Sequence, residues 1–297
     1  MATIDTNIDQ LEDLRDRTGW WTNFKRFLRK QPLGSAGLFI VLVMIFVALF
    51  APQLSSLDPE SNSFETMFIA PNAEYFLGTD DFGRDVLTRI MYGARTALFV
   101  GLTSAIIGST IGLILGVASA YFGGRFDLIF QRVMDVFMAF PIIILALAIV
   151  SILGTATHNV IAAITLPFIP RCARVVRSSA LAIREIPYID AARANGFSNM
   201  RIIVRHMVPN VMAPYLIMLT AAVGQAILLE ASLSFLGLGV QEPTPAWGLM
   251  LRNAQEYIES APWVAIWPGF AITLAVFGFN MFGDAVRDSL DPRLRSQ

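Results

Sequence analysis

The sequence predicts an all-α integral membrane protein with six transmembrane helices, and three observations predict it. Apolar runs occur six times, at 33–51, 96–120, 133–153, 157–170, 208–230 and 262–283. Only 15% of the 297 residues are charged and 55% are hydrophobic, giving a mean hydropathy of +0.58. A soluble domain carries roughly 25% charged residues, and here the deficit falls in blocks close to bilayer length. Basic residues are also unevenly shared. With the N-terminus inside, 18 of the 22 Lys and Arg fall on inner segments and 4 on outer ones. That bias places both termini in the cytoplasm.

The elements follow in order. Residues 1–32 are a polar cytoplasmic tail. Its stretch 20–30 (WWTNFKRFLRK) mixes aromatic residues with four cations, a composition suited to a helix lying among lipid headgroups. The first span, 33–51, holds no charge over 19 positions. It is longer than the apolar core of a signal peptide, so it is expected to stay as an anchor. An outer loop follows at 52–95, where Asp58, Glu60, Glu65, Glu74, Asp80, Asp81 and Asp85 face only Arg84, Arg89 and Arg95. Spans at 96–120 and 133–153 come next. The fourth run contains Pro167 and Pro170 and meets a basic stretch at Arg171. Neighbouring helices re-satisfy carbonyls freed by proline, so 157–183 reads as one kinked helix leaving the bilayer. The second outer loop, 231–261, is rich in glycine and proline and favours turns. A short tail, 287–297, ends the chain inside.

One inner segment, 184–210, differs from a simple connector. Pro187 suits the first turn of a helix, Ile189 to Ala194 lacks breakers, and Asn195-Gly196 is a left-handed stop. Ser198 can cap a second helix, on which Arg201 and Arg205 share a face, and Pro209 marks the hinge into the fifth span. A helix this short gains little stability alone and needs a surface to pack against. Ala191 and Ala192 would allow close approach to a groove, with Asp190 and Arg193 at its rim.

These residues, DAA at 190–192 with Gly196 and RHMVPN at 205–210, resemble the coupling loop, or EAA loop, of ATP-binding-cassette importer permeases. More narrowly, the chain resembles the second permease of dipeptide, oligopeptide and nickel importers. LGTDDFGRDVLTRIMYGAR at 77–95, AYFGGRFD at 120–127, EASLSFLGLGVQEPTPAWGLML at 230–251 and GDAVRDSLDPRLR at 283–295 agree in order. Asp190 stands where the family usually has glutamate, which shortens its reach by one methylene. The resemblance implies a type I importer fold with five core helices and a peripheral first helix, the permease domain spanning 96–286. It implies a second homologous permease, two ATPase subunits that receive the coupling helices, and an extracytoplasmic solute-binding protein. It also implies the inner membrane of a bacterium. Peptide is the expected solute. Nickel complexes, glutathione, opines and oligosaccharides are the alternatives within the family. ATP and Mg2+ would serve the ATPases, with no cofactor or metal bound by this chain.

The residues bear this out in what they lack. The only lysines, Lys25 and Lys30, follow no phosphate-binding glycine loop. A net charge of −1 offers no footprint for nucleic acid. Cys172 is the single cysteine, so no disulfide forms within the chain. His158 and His206 fall on opposite sides of the membrane and share no metal site. No zinc-protease or nucleophile-elbow motif supports an enzyme, and a secondary transporter or channel leaves the coupling helix unexplained. Glu230, at the outer end of the fifth span, and Trp247 are candidates for the gate or for tying down the outer turn. Asp135 is expected to pair with Arg132, and Asp80 and Asp81 to be exposed docking charges.

Overall fold

The computed structural model of the chain describes residues 31–290. The headgroup helix expected at 20–30 lies outside these residues, as do Asp291, Arg293 and Arg295. Among the described residues the regular structure is helical, with one isolated bridge between Thr79 and Asp85. The helices are α1 (Pro32–Leu54), α2 (Val86–Phe122), α3 (Gly124–Met138), α4 (Ile142–Leu153), α5 (Thr157–Arg184), α6 (Pro187–Ala194), α7 (Asn199–Ile202), α8 (Met212–Phe235), α9 (Trp247–Ala254) and α10 (Trp263–Leu290). Five helical stretches are long and apolar enough to cross a membrane, and the bent pair α3–α4 meets the same measure when its two helices are taken together.

Two boundaries differ from the sequence expectation. α2 begins ten residues before 96, because Asp85 caps it by accepting the backbone N–H of Thr88 at 2.7 Å. The last ten residues of the expected outer loop are therefore helical. The run 133–153 is not one helix. α3 ends at Met138, and α4 starts after Pro141 at an angle of 90°. Proline restricts the residue before it to extended backbone, which breaks the run at Phe140. α5 continues through both prolines to Arg184, in agreement with the reading of 157–183 as one helix, and Arg171 and Arg174 belong to this helix, which is long and apolar enough to cross a membrane. The chain then stays helical from Asn199 into α8. A π-turn at Ile203–Met207 and a 3-10 turn at Val208–Val211 absorb Pro209.

Glycine sets the central contact. Gly108, Gly112 and Gly116 lie every fourth residue on the face of α2 that meets α5. A Cβ at these positions would come within 2.9 Å of Thr165 O, 2.7 Å of Cys172 Cβ and 2.6 Å of Ala173 O. Backbones approach this closely in membranes through small residues, since apolar side chains gain nothing by leaving lipid. α1 is peripheral, with Gly34 and Gly37 packed on Ala285 and Met281 of α10. The buried side chains form two clusters. The larger fills the end bearing the long loops and includes Trp247 and Ile227. The smaller, at the basic end, joins Val117, Tyr121, Val176 and Ala180 to Ile189, Ala192, Ile202 and Met207.

Candidate functional site

The segment 184–210 folds as a short helix seated on its own bundle. α6 ends in a Schellman turn, with Gly196 N–H donating to Arg193 O at 2.9 Å and Phe197 N–H to Ala192 O at 3.1 Å. Gly196 takes φ +76°, the left-handed geometry predicted from Asn195-Gly196, and open space surrounds the position of its missing Cβ. Ser198 caps α7 by accepting from Arg201 N–H at 3.4 Å. The arrangement is pinned from the far side. Tyr188 Oη donates to His206 O at 3.1 Å, and Asn210 Nδ2 donates to the same carbonyl at 2.6 Å. The His206 ring sits 6.0 Å from both the Tyr188 and Phe197 rings. Tyr121 of α2 donates to Asn199 Oδ1 at 2.7 Å, tying the loop to the bundle.

This geometry corrects one expectation. The sequence predicts both alanines on the docking face, yet the structure separates them. Ala192 is 5% exposed and lies with Ile189 in the inner cluster, against the chain's own helices. Successive helical residues point 100° apart, and Ala191 faces outward. The open face carries Tyr188, Asp190, Ala191 and Arg193, flanked by exposed Ile186, Met200 and Val204. Asp190 accepts from Arg193 Nη1 at 3.0 Å on the surface. Arg205 and Pro209 are exposed at the start of the passage into α8.

At the opposite end the two long loops are joined by buried charge, through partners more than 150 residues apart. Asp80 is 8% exposed rather than a free docking charge. One carboxylate oxygen accepts the backbone N–H groups of Phe82 and Arg84, each at 2.9 Å, and the other accepts Arg84 Nε at 2.7 Å. Arg84 Nη1 then reaches Glu242 of the second loop at 2.9 Å. Arg89, fully buried, donates to Pro59 O at 2.8 Å and lies 3.4 Å from Glu242. The LGTDDFGRD segment is thus a structural knot.

Asp81 lies beside this knot, 3.8 Å from Arg84. Burial and the neighbouring Asp80 push its carboxyl from 3.8 up to about 6, while Arg84 opposes the shift. The raised value means that the folded chain holds the proton more tightly than the unfolded one. Its ionisation therefore costs stability as pH rises from about 4 through about 6, and nothing below that. Asp81→Asn is expected to raise the thermal midpoint of the purified protein at pH 7.5, by roughly 1 kcal/mol of stability after allowance for partial exposure. The gain should vanish towards pH 4. A midpoint difference that does not change between pH 4 and 8 would refute it.

Glu230 and Trp247 both tie down the outer turn. Glu230 is 1% exposed and accepts from Ser234 Oγ at 2.7 Å, and that hydroxyl accepts Val240 N–H at 3.2 Å. The carboxylate acts through a serine rather than on the turn directly. Trp247 donates from Nε1 to Ile90 O at 3.0 Å and covers Gly93 of α2. Asp135 pairs with Arg174 of α5 instead of Arg132. The break at Pro141 turns α3 so that it lies beside α5, where Asp127 also pairs with Arg177.

A membrane bundle of this shape, with a capped helix held out at its basic end, is the membrane subunit of a transporter. The chain belongs to the family of binding-protein-dependent transport system inner membrane components, whose model matches residues 108–296. The N-terminal membrane domain of oligopeptide transport permease C matches residues 19–72. Over 297 residues the chain is 44% identical to the dipeptide transport system permease protein DppC of Alkalihalophilus pseudofirmus, covering 100% of this chain and 97% of the relative. It is 40% identical over 287 residues to the glutathione transport system permease protein GsiD of Pectobacterium atrosepticum, covering 96% and 95%. In fold it is similar to a chain of the inward-facing MetNI methionine transporter, with a TM-score of 0.56 at 20% identity. That match covers 69% of this chain and 97% of the other. The chain is an importer permease of the type I fold, a multi-pass inner-membrane protein.

Proposed function

We propose that this chain forms half of the pathway of an ATP-driven peptide importer, with a second homologous permease as the other half. Two ATPase subunits use ATP and Mg2+, and one of them receives the open face of α6 from the cytoplasm while the other receives the matching helix of the partner permease. An extracytoplasmic binding protein delivers the solute to the loops at 55–85 and 236–262. Both termini are cytoplasmic, which puts the basic end inside. The observation that carries the reading is α6 itself. It is anchored from beneath by Ile189 and Ala192 and from the side by Tyr188, and it leaves Ala191 and its neighbours uncovered. An ordinary connector needs neither the anchoring nor the bare face. Peptide is favoured as solute by the dipeptide permease among the relatives, with glutathione next.

The complex of this chain with its partner permease and ATPases, reconstituted in vesicles, is expected to take up dipeptide only with ATP and loaded binding protein. The purified chain alone is expected to hydrolyse no ATP. Uptake by the chain without ATP would instead indicate a channel or secondary transporter. Uptake of glutathione but not dipeptide would correct the solute.

A further inference from the structure

Arg171, on the fourth spanning helix, has an amide rather than a carboxylate as its side-chain partner. Arg171 lies in the middle of α5, ~21 Å from its start at 1.5 Å per residue. Its Nη1 donates to Gln225 Oε1, midway along α8, at 3.1 Å. Asp135 and Asp127 are engaged by Arg174 and Arg177. Among the described residues no carboxylate stands within ion-pair distance of Arg171. Beside it a cavity of about 40 Å3 is lined by Ser109, Arg171, Ala221 and Gln225. Ser109 is 1% exposed, and its Oγ has no hydrogen-bond partner. The cavity exceeds the roughly 10–15 Å3 that one water occupies on the same measure and is far smaller than a peptide. It is the size of a single small polar group.

The surroundings narrow what that group is. Gln225 and Ala221 are exposed on this chain, and the polar surface continues along α5 through Arg174 to Ser178. An unpaired guanidinium facing lipid costs several kcal/mol, so ionisable residues at this depth face a bundle interior or a wet passage. A guanidinium beside a free hydroxyl presents donors to an anion, and its fork matches a carboxylate. We propose that Arg171, with Gln225 and Ser109, forms a station on the translocation path that receives a carboxylate of the passing solute. This assignment rests on the permease reading above.

The test uses the assembled transporter in vesicles, in a Cys172→Ala background because the native thiol lines the same cavity. Ala221→Cys is probed with an anionic and a cationic methanethiosulfonate, in the resting and ATP-bound states. The anionic reagent is expected to react about tenfold faster, relative to a free thiol, through the nearby positive charge. Arg171→Gln should abolish that preference. Phe39→Cys, on the exposed face of α1, should react with neither. Dialanine should slow the labelling of Ala221→Cys, and its C-terminal amide should not. Absence of labelling in both states, a preference that survives Arg171→Gln, or equal protection by acid and amide would each overturn the station. Uptake in the same vesicles separates the two readings. Transport without charge-selective labelling sinks the station alone. Charge-selective labelling without transport sinks the permease reading and leaves an anion site.

Discussion

Ala191→Trp is expected to abolish solute uptake and solute-stimulated ATP hydrolysis, by 100-fold or about that, while the chain still folds and inserts. Ala191 sits on the bare face of α6, so an indole there meets nothing in its own chain and collides with whatever receives the helix. Binding energy concentrates in a few central contacts of such a patch. Ala192→Trp is expected to fail differently. That position is 5% exposed within the inner cluster, and overpacking a core costs about 1–3 kcal/mol. Its thermal midpoint should fall, whereas that of Ala191→Trp should match wild type. Gly196→Val should resemble the second case more mildly. Its Cβ meets no neighbour, yet a positive φ costs an L-residue roughly 1–2 kcal/mol. Thermal unfolding and co-purification with the ATPases distinguish the three. Full transport by Ala191→Trp would remove the open face of α6 from the mechanism.

Arg89→Met is expected to destabilise the chain by about 3–5 kcal/mol, the usual effect of removing one partner from a buried charge network. The guanidinium is fully buried and holds Pro59 of the first loop and Glu242 of the second together. Without it Arg84 is the one cation left between Asp80 and Glu242 among the described residues. Glu242→Gln should cost less, because an amide oxygen still accepts from both arginines. Proteolysis of the loops at 55–85 and 236–262 in purified protein measures the loosening. Wild-type resistance in Arg89→Met would show that the loops are joined by something else.

The spans were legible because twenty uncharged residues in a row admit few structures. The Schellman turn was legible because Asn195-Gly196 writes its backbone angle into the sequence. What escaped reading depended on side-chain direction across long separations. Ala191 and Ala192 are alike in sequence and opposed in space. Asp80 reads as a surface acid until Glu242, over 150 residues later, is seen to share its arginines. Asp135 was matched to a neighbour three residues away, because the right-angled bend before α4 gives no hint that Arg174 is nearer.

The glycine seam between α2 and α5 has a mechanical meaning. Where side chains interdigitate, two helices slide by exchanging rotamers. Where Gly108, Gly112 and Gly116 put backbone against backbone, there is no rotamer to exchange. The pair is therefore a stiff beam that tilts as one piece. α6 is bolted to the inner end of that beam by Ile189 and Ala192, and α7 beside it by the Tyr121–Asn199 bond. A displacement of α6 is therefore expected to tilt α2 and α5 together rather than to slide one past the other.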